Sequence, residues 1–198
     1  LERGIVVAQG RRKLEDALGV FADEADGRLS PRIRRLVEDL RTEWRGLDER
    51  ISAFDGEFTA MAREDVLARR LSTIPGIGAI NATALVAAVG AAQSFGRGRD
   101  LAAWLGLVPR QATTGGRPKL LGISKRGNRQ LRANLIHGAR AVLPRVLAQD
   151  TPLGRWARSL STRAHKNIVV VALAAKLARI AWAVLHTERS FDPAIAAG

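Results

Sequence analysis

The feature that most constrains the fold is a seven-residue apolar repeat running from Ile33 to Met61. Val37, Trp44, Ile51 and Phe58 form one series. Ile33, Leu40, Leu47, Phe54 and Met61 form the other, at alternating intervals of four and three, and Arg, Glu and Asp fill most positions between. A 3.5-residue period suits a helix with one narrow apolar seam. It predicts about four heptads, either paired in a coiled coil (between chains or as a helical hairpin) or laid on the chain's own domain. Ser30-Pro31 provides the start, a hydroxyl N-cap followed by proline at the first helical position. A shorter helix is expected before it, from Arg11 to Ala25 and broken at Gly27.

Charge divides the chain where the repeat ends. Residues 1–65 hold 15 acidic and 12 basic side chains, a balance of −3, while residues 66–198 hold 4 and 20, a balance of +16. Between Asp100 and Asp150 there is no carboxylate at all. Such a field requires a polyanionic partner. An anionic membrane surface is the rival to nucleic acid, but no segment joins a basic face to a broad exposed apolar one. The longest apolar stretch, Ile168 to Leu185, carries Lys176 and Arg179 at its centre, so it predicts a core helix and not a membrane span. The chain has no cysteine, which excludes disulfides and thiolate metal sites. Leu1 to Arg12 has no signal-peptide pattern, and a cytoplasmic protein is expected.

Helix formers dominate throughout, so the expected fold is all-α: a helical coiled-coil region over residues 1–71 and a compact basic helical domain over 72–198, with the boundary at Ser72-Thr73-Ile74-Pro75. Helices are expected at Ala79–Val89, Leu101–Leu105, Asn128–Leu143 and Leu153–Leu185, the last broken near Lys166. Gln111 to Gly122 is the one extended or looped region. In the final helix Val169, Leu173, Leu177, Ile180 and Val184 make an apolar stripe, leaving Lys176 and Arg179 to solvent or DNA.

Two segments carry chemistry. Ile74-Pro75-Gly76-Ile77-Gly78 opens a small-residue helix in the manner of a helix-hairpin-helix. There Gly76 and Gly78 would let backbone amides approach a phosphate, or would simply make a tight turn. Arg110 through Arg132 holds seven cations: Arg110, Arg117, Lys119, Lys125, Arg126, Arg129 and Arg132. Interleaved hydroxyls and glycines, Ser124 among them, make it either a phosphate cradle or an ordinary basic loop. The histidines His137, His165 and His186 are too dispersed for a shared metal face. Trp104 and Trp182 sit among aliphatics and are expected in cores. Aromatic residues are absent from the basic segment, which argues against base stacking.

Ile74-Pro75-Gly76-Ile77-Gly78, Leu101-Ala102-Ala103-Trp104-Leu105-Gly106-Leu107-Val108-Pro109-Arg110, Gly122-Ile123-Ser124-Lys125-Arg126-Gly127-Asn128 and Leu135-Ile136-His137-Gly138-Ala139-Arg140 follow one another in that order. Together they resemble the C-terminal half of insertion-sequence transposases of the IS110 type, over nearly the whole chain. The resemblance implies a DNA transposase or recombinase acting by strand cleavage and exchange through a covalent protein–DNA link. It further implies a RuvC-like domain with a metal-binding acidic tetrad, using Mg2+, that would precede Leu1. A coiled coil would then lead to a domain carrying a nucleophilic serine, and in some members a structured guide RNA directs the site.

The family serine falls on Thr114 here, with Thr113 next if the loop alignment slips by one residue and Ser124 a third hydroxyl better suited to a cap or phosphate contact. A threonine can attack phosphorus, although its methyl crowds an in-line approach. The acids of the heptad helix form a solvated face, so neither metal nor cofactor is expected in this chain. Taken alone it is expected to bind DNA, or structured RNA, without recombining it, and to self-associate through the heptads. A non-catalytic helix-hairpin-helix module and a coiled-coil interaction protein are the alternatives.

Overall fold

In the computed structural model, residues 6–22, 29–114 and 117–194 are described, and the chain divides into two compact units, residues 1–56 and 57–198. Helix α1 spans Arg11–Ala22; its expected continuation to Ala25 and the break at Gly27 lie outside the described residues. Helix α2 runs from Pro31 to Glu64, 34 residues or about 51 Å. Ser30 precedes it as expected, its carbonyl accepting from the Arg34 amide at 3.0 Å. Along α1, the Arg11 guanidinium lies 5.1 Å from the centre of the Trp44 ring and pairs with Asp48, and Gly19 faces the Arg41 guanidinium. Along the heptad seam Val37, Trp44 and Phe58 are half-buried, while Ile33, Leu40, Leu47, Ile51, Phe54 and Met61 are 37–65% exposed.

The second unit is built around its last helix. Asp65 caps helix α3 (Val66–Leu71), its carboxylate accepting from the Ala68 amide at 2.8 Å. Helices α4 (Ala79–Val89) and α5 (Gly98–Trp104) follow, then strands β1 (Pro109–Thr114) and β2 (Arg117–Ile123), and helices α6 (Arg129–Ala148), α7 (Pro152–Ser161) and α8 (Lys166–Thr187).

α8 packs against α3, α5, α6 and α7. Its expected stripe of Val169, Leu173, Leu177, Ile180 and Val184 is buried, and so are Val170, Ala174, Ala178, Ala181 and Leu185 on its other sides. This corrects the expectation for Lys176. With neighbours on several faces, α8 has little solvent side at its middle, and Lys176 is buried at 5% exposure with its Nζ 5.1 Å from the Trp156 ring centre. Burial first, and the nearby Arg179 second, lower the Lys176 pKa from its usual 10.5. Arg179 itself is exposed, as expected. α8 is long and apolar enough to cross a membrane, but most of it is buried inside this unit.

The fold is mostly all-α, with one departure. β1 and β2 form an antiparallel hairpin in which Gln111 pairs with Leu120, Ala112 with Lys119, Thr113 with Pro118 and Thr114 with Arg117. The segment left extended or looped by sequence is therefore a sheet ladder. Its Gly115-Gly116 connection lies outside the described residues.

Candidate nucleic-acid interface

Ile74-Pro75-Gly76-Ile77 makes a tight turn: the Ile77 amide donates to the Ile74 carbonyl at 3.0 Å. Proline at the second position and Gly76 at the third, with φ of 88°, is the type II pattern that favours glycine. Ile74 and Ile77 anchor the turn in the core. Gly76 rests on α6, where an added Cβ would stand 2.9 Å from the Gly138 carbonyl oxygen, and a Cβ on Gly138 would overlap the Gly76 carbonyl. Asn81 Nδ2 ties the contact by donating to the carbonyls of Gly76 (3.4 Å) and Asn134 (3.3 Å). Gly78, by contrast, is the N-cap of α4, exposed, extended and open at its Cβ position. A cavity of about 530 Å³ lies beside this turn, with Arg145, Gln149 and Thr151 on its wall.

The cationic segment is seated in a second backbone contact. Gly106 and Gly127 both have positive φ, 71° and 79°. A Cβ on Gly106 would overlap the Arg126 carbonyl, and one on Gly127 the Trp104 carbonyl. The Ser124 amide donates to the Val108 carbonyl (2.8 Å) and the Lys125 amide to Gly106 (3.1 Å). Lys125 is itself left-handed, with φ of 57°, a conformation that costs a non-glycine residue about 1–2 kcal/mol. Asn128 then caps α6, its side chain accepting from the Leu131 amide at 3.0 Å.

Arg132 was expected among the phosphate contacts, and the structure places it differently. It is buried at 9% exposure, and its Nη1 donates to the carbonyls of Leu105 and Arg126, each at 3.0 Å. Arg132 therefore staples the basic loop to the end of α5. The cations around it are exposed: Arg110, Lys119, Lys125, Arg126 and Arg129. The side chains of Arg117 and Thr114 lie outside the described residues. Thr113 is exposed and its Oγ1 accepts from Gln111 Nε2 at 3.2 Å, while Ser124 is half-buried.

Electrostatics separate these cations from others nearby. Asp150 is taken by Arg155 and Arg158, and Glu188 by Arg70. Among the described residues, Arg110, Lys119, Lys125, Arg126 and Arg129 have no ion-pair partner. Arg129 also opens α6, where a cation opposes the positive end of the helix dipole. Uncompensated charge of one sign, held on a built backbone scaffold, is the arrangement of an anion-binding surface.

The remaining expectations resolve simply. His165 caps α8 and His186 stacks on Trp182, while His137 is exposed. Trp182 is half-buried, donating to the Phe95 carbonyl at 2.8 Å. Trp104 is not a core residue: it is 39% exposed, edge-on to Phe95.

The model of the family described as Transposase IS116/IS110/IS902 matches residues 68–152, which contain the turn, the hairpin, the basic loop and α6. A transposase for insertion sequence element IS1111A from Coxiella burnetii is 40% identical over 96% of this chain and 52% of its own length. A probable family 20 transposase from Pseudomonas aeruginosa is 45% identical over 80% of this chain and 47% of its own. A transposase for insertion sequence element IS1328 from Yersinia enterocolitica is 40% identical over 93% and 54% respectively. The chain thus spans about half the length of the curated relatives it matches.

Proposed function

We propose, from the premise that residues 68–152 belong to the IS116/IS110/IS902 transposase family, that this chain serves DNA transposition by an insertion sequence, gripping DNA through the β-hairpin and the loop before α6. The observation that carries this reading is the set of five exposed cations without ion-pair partners among the described residues, Arg110, Lys119, Lys125, Arg126 and Arg129, held on glycine-to-backbone seats. Phosphate contacts of this kind position a duplex and neutralise charge that develops on a reacting phosphate.

Thr114, or Thr113 beside it, is the hydroxyl proposed to attack phosphorus, forming a phosphoester link to DNA as the bond from that phosphorus to one sugar oxygen breaks and the sugar hydroxyl leaves. No Asp or Glu lies between residues 100 and 150, so no carboxylate of that span takes its proton. In this reading the RuvC-like domain implied by the resemblance, with Mg2+, supplies the metal chemistry, and this chain supplies grip and hydroxyl. A structured guide RNA is a further partner for the same basic surface. The uncovered seam of α2 suits self-association with a second copy.

Binding is tested by measuring affinity for a short DNA duplex against salt. If these five cations meet phosphates, log affinity falls with log salt at a slope of about −4.5, and the triple variant Lys125→Ser/Arg126→Ser/Arg129→Ser flattens the slope by about 2.7. Equal slopes for the two proteins would refute the assignment. The nucleophile is tested in a full-length protein that carries the RuvC-like domain ahead of this chain, by trapping protein–DNA adducts on a nicked suicide substrate and mapping the linked peptide by mass spectrometry. Linkage at Thr114 or Thr113 supports the reading; linkage elsewhere, or no adduct, reduces the chain to a binding module.

A further inference from the structure

A second cationic cleft of this unit, away from the basic loop, lies at the other end of α5. It encloses about 780 Å³ between the start of α5, the second half of α8 and the segment that follows α8. Arg97, Arg99, Arg179 and Arg189 line it, together with Trp182. All four arginines are exposed, and none has an ion-pair or hydrogen-bond partner for its side chain among the described residues. One carboxylate, Asp192, lines the cleft, and its Oδ1 already accepts from the Ala194 amide at 2.8 Å. The walls are fixed. A Cβ added at Gly98 would meet the Arg179 backbone at 3.1 Å, so α5 lies directly on α8, and Trp182 Nε1 is anchored on the Phe95 carbonyl.

The geometry points to a second phosphodiester-binding site in this cleft, taking a nucleic-acid segment other than the one gripped by the basic loop. Four like charges brought together by three separate parts of the chain repel one another unless an anion sits between them. Guanidinium groups suit bidentate contact with phosphate oxygens. The length of the cleft favours a strand over a single anion. From Arg179 to Thr187 the α8 wall rises about 12 Å, longer than one phosphate group. The inference rests on the proposed function only for the class of ligand, since none of its residues belongs to the hairpin or the loop.

The test compares salt slopes for the chain, the loop variant Lys125→Ser/Arg126→Ser/Arg129→Ser, the cleft variant Arg97→Ser/Arg179→Ser/Arg189→Ser and their combination. The probes are a mixed-sequence DNA duplex and an RNA duplex of the same sequence. The altered cleft arginines are exposed and unpaired, so thermal melting of the cleft variant should match that of the parent. The expected result is a slope flattened by about 2.7 in the cleft variant on at least one probe, adding to the loop effect in the combination. An unchanged slope in the cleft variant overturns the site, even where the loop variant responds. A response in the cleft variant alone keeps the site and removes the loop assignment. Should the cleft variant lose binding of inorganic pyrophosphate while its slopes on both duplexes stay at the parent value, the cleft holds small anions and the strand assignment fails.

Discussion

Gly76 and Gly138 meet backbone against backbone, so that a side chain on either would run into the other's carbonyl oxygen. The contact joins the turn before α4 to the middle of α6, two segments 62 residues apart in sequence. It explains a glycine in each of two motifs without reference to any ligand. Gly138→Ala should destabilise the second unit by about 3 kcal/mol, at the upper end of the range for overpacking. Gly78→Ala, two positions beyond Gly76, meets open space at an extended backbone and should stay within about 0.5 kcal/mol of the parent. Urea denaturation of the two variants checks both numbers, and equal midpoints would remove the packing argument.

Arg132→Met keeps an unbranched stem of similar length to that of arginine and deletes the donors beyond it. The carbonyls of Leu105 and Arg126 then lose two charge-assisted bonds, a loss of about 2–4 kcal/mol. Affinity for DNA should also fall although every exposed cation remains, because the loop is no longer stapled to α5. A variant with parent stability would place the hold on the loop in the glycine seats alone.

The α2 seam predicts a concentration-dependent assembly. Leu47→Asp/Phe54→Asp removes two exposed apolar side chains whose burial contributes about 1.5–3 kcal/mol each. Self-association should weaken by more than tenfold, about 1.4 kcal/mol, as read by analytical ultracentrifugation. An unchanged mass distribution would assign the stripe to something other than a second copy.

Lys176 gives a pH dependence whose sign is fixed. Its folded pKa lies below the usual 10.5, so between the two values the unfolded chain binds more protons, and stability from this group rises with pH across that window. Below the folded pKa the cost of burying the ammonium is present in full. The difference in melting temperature between the parent and Lys176→Met should therefore shift in favour of the parent as pH approaches 10.5. A constant difference would mean that Lys176 titrates normally.

What the sequence revealed depended on whether a residue's surroundings leave a local trace. Ser30-Pro31 started α2 and Ala79–Val89 matched α4, because caps and propensity act over one turn. The hairpin went unread since it buries so little: Leu120 is 69% and Leu121 40% exposed, so no period-two pattern was required of it, and Gly115-Gly116 was its only turn signal. Lys176 misled because a stripe argument presumes one buried face, whereas α8 is covered on several. Alanines 174, 178 and 181 around the helix were the available hint. Arg132 looked like one more cation in a run, yet it shares the i, i+3, i+7 spacing of Leu135 and Ala139, both buried on α6. The seam of α2 was plain in sequence, because a seven-residue period is a local pattern.

α5 is only seven residues long, and it is seated by glycine at both ends, Gly98 against the Arg179 backbone and Gly106 against that of Arg126. It works as a caliper. Adding one residue to it would swing everything beyond by about 100° and advance it by about 1.5 Å, unseating one jaw. With both ends seated, α5 holds the loop before α6 at a set distance from Arg179 on α8, a spacer that can be neither stretched nor turned.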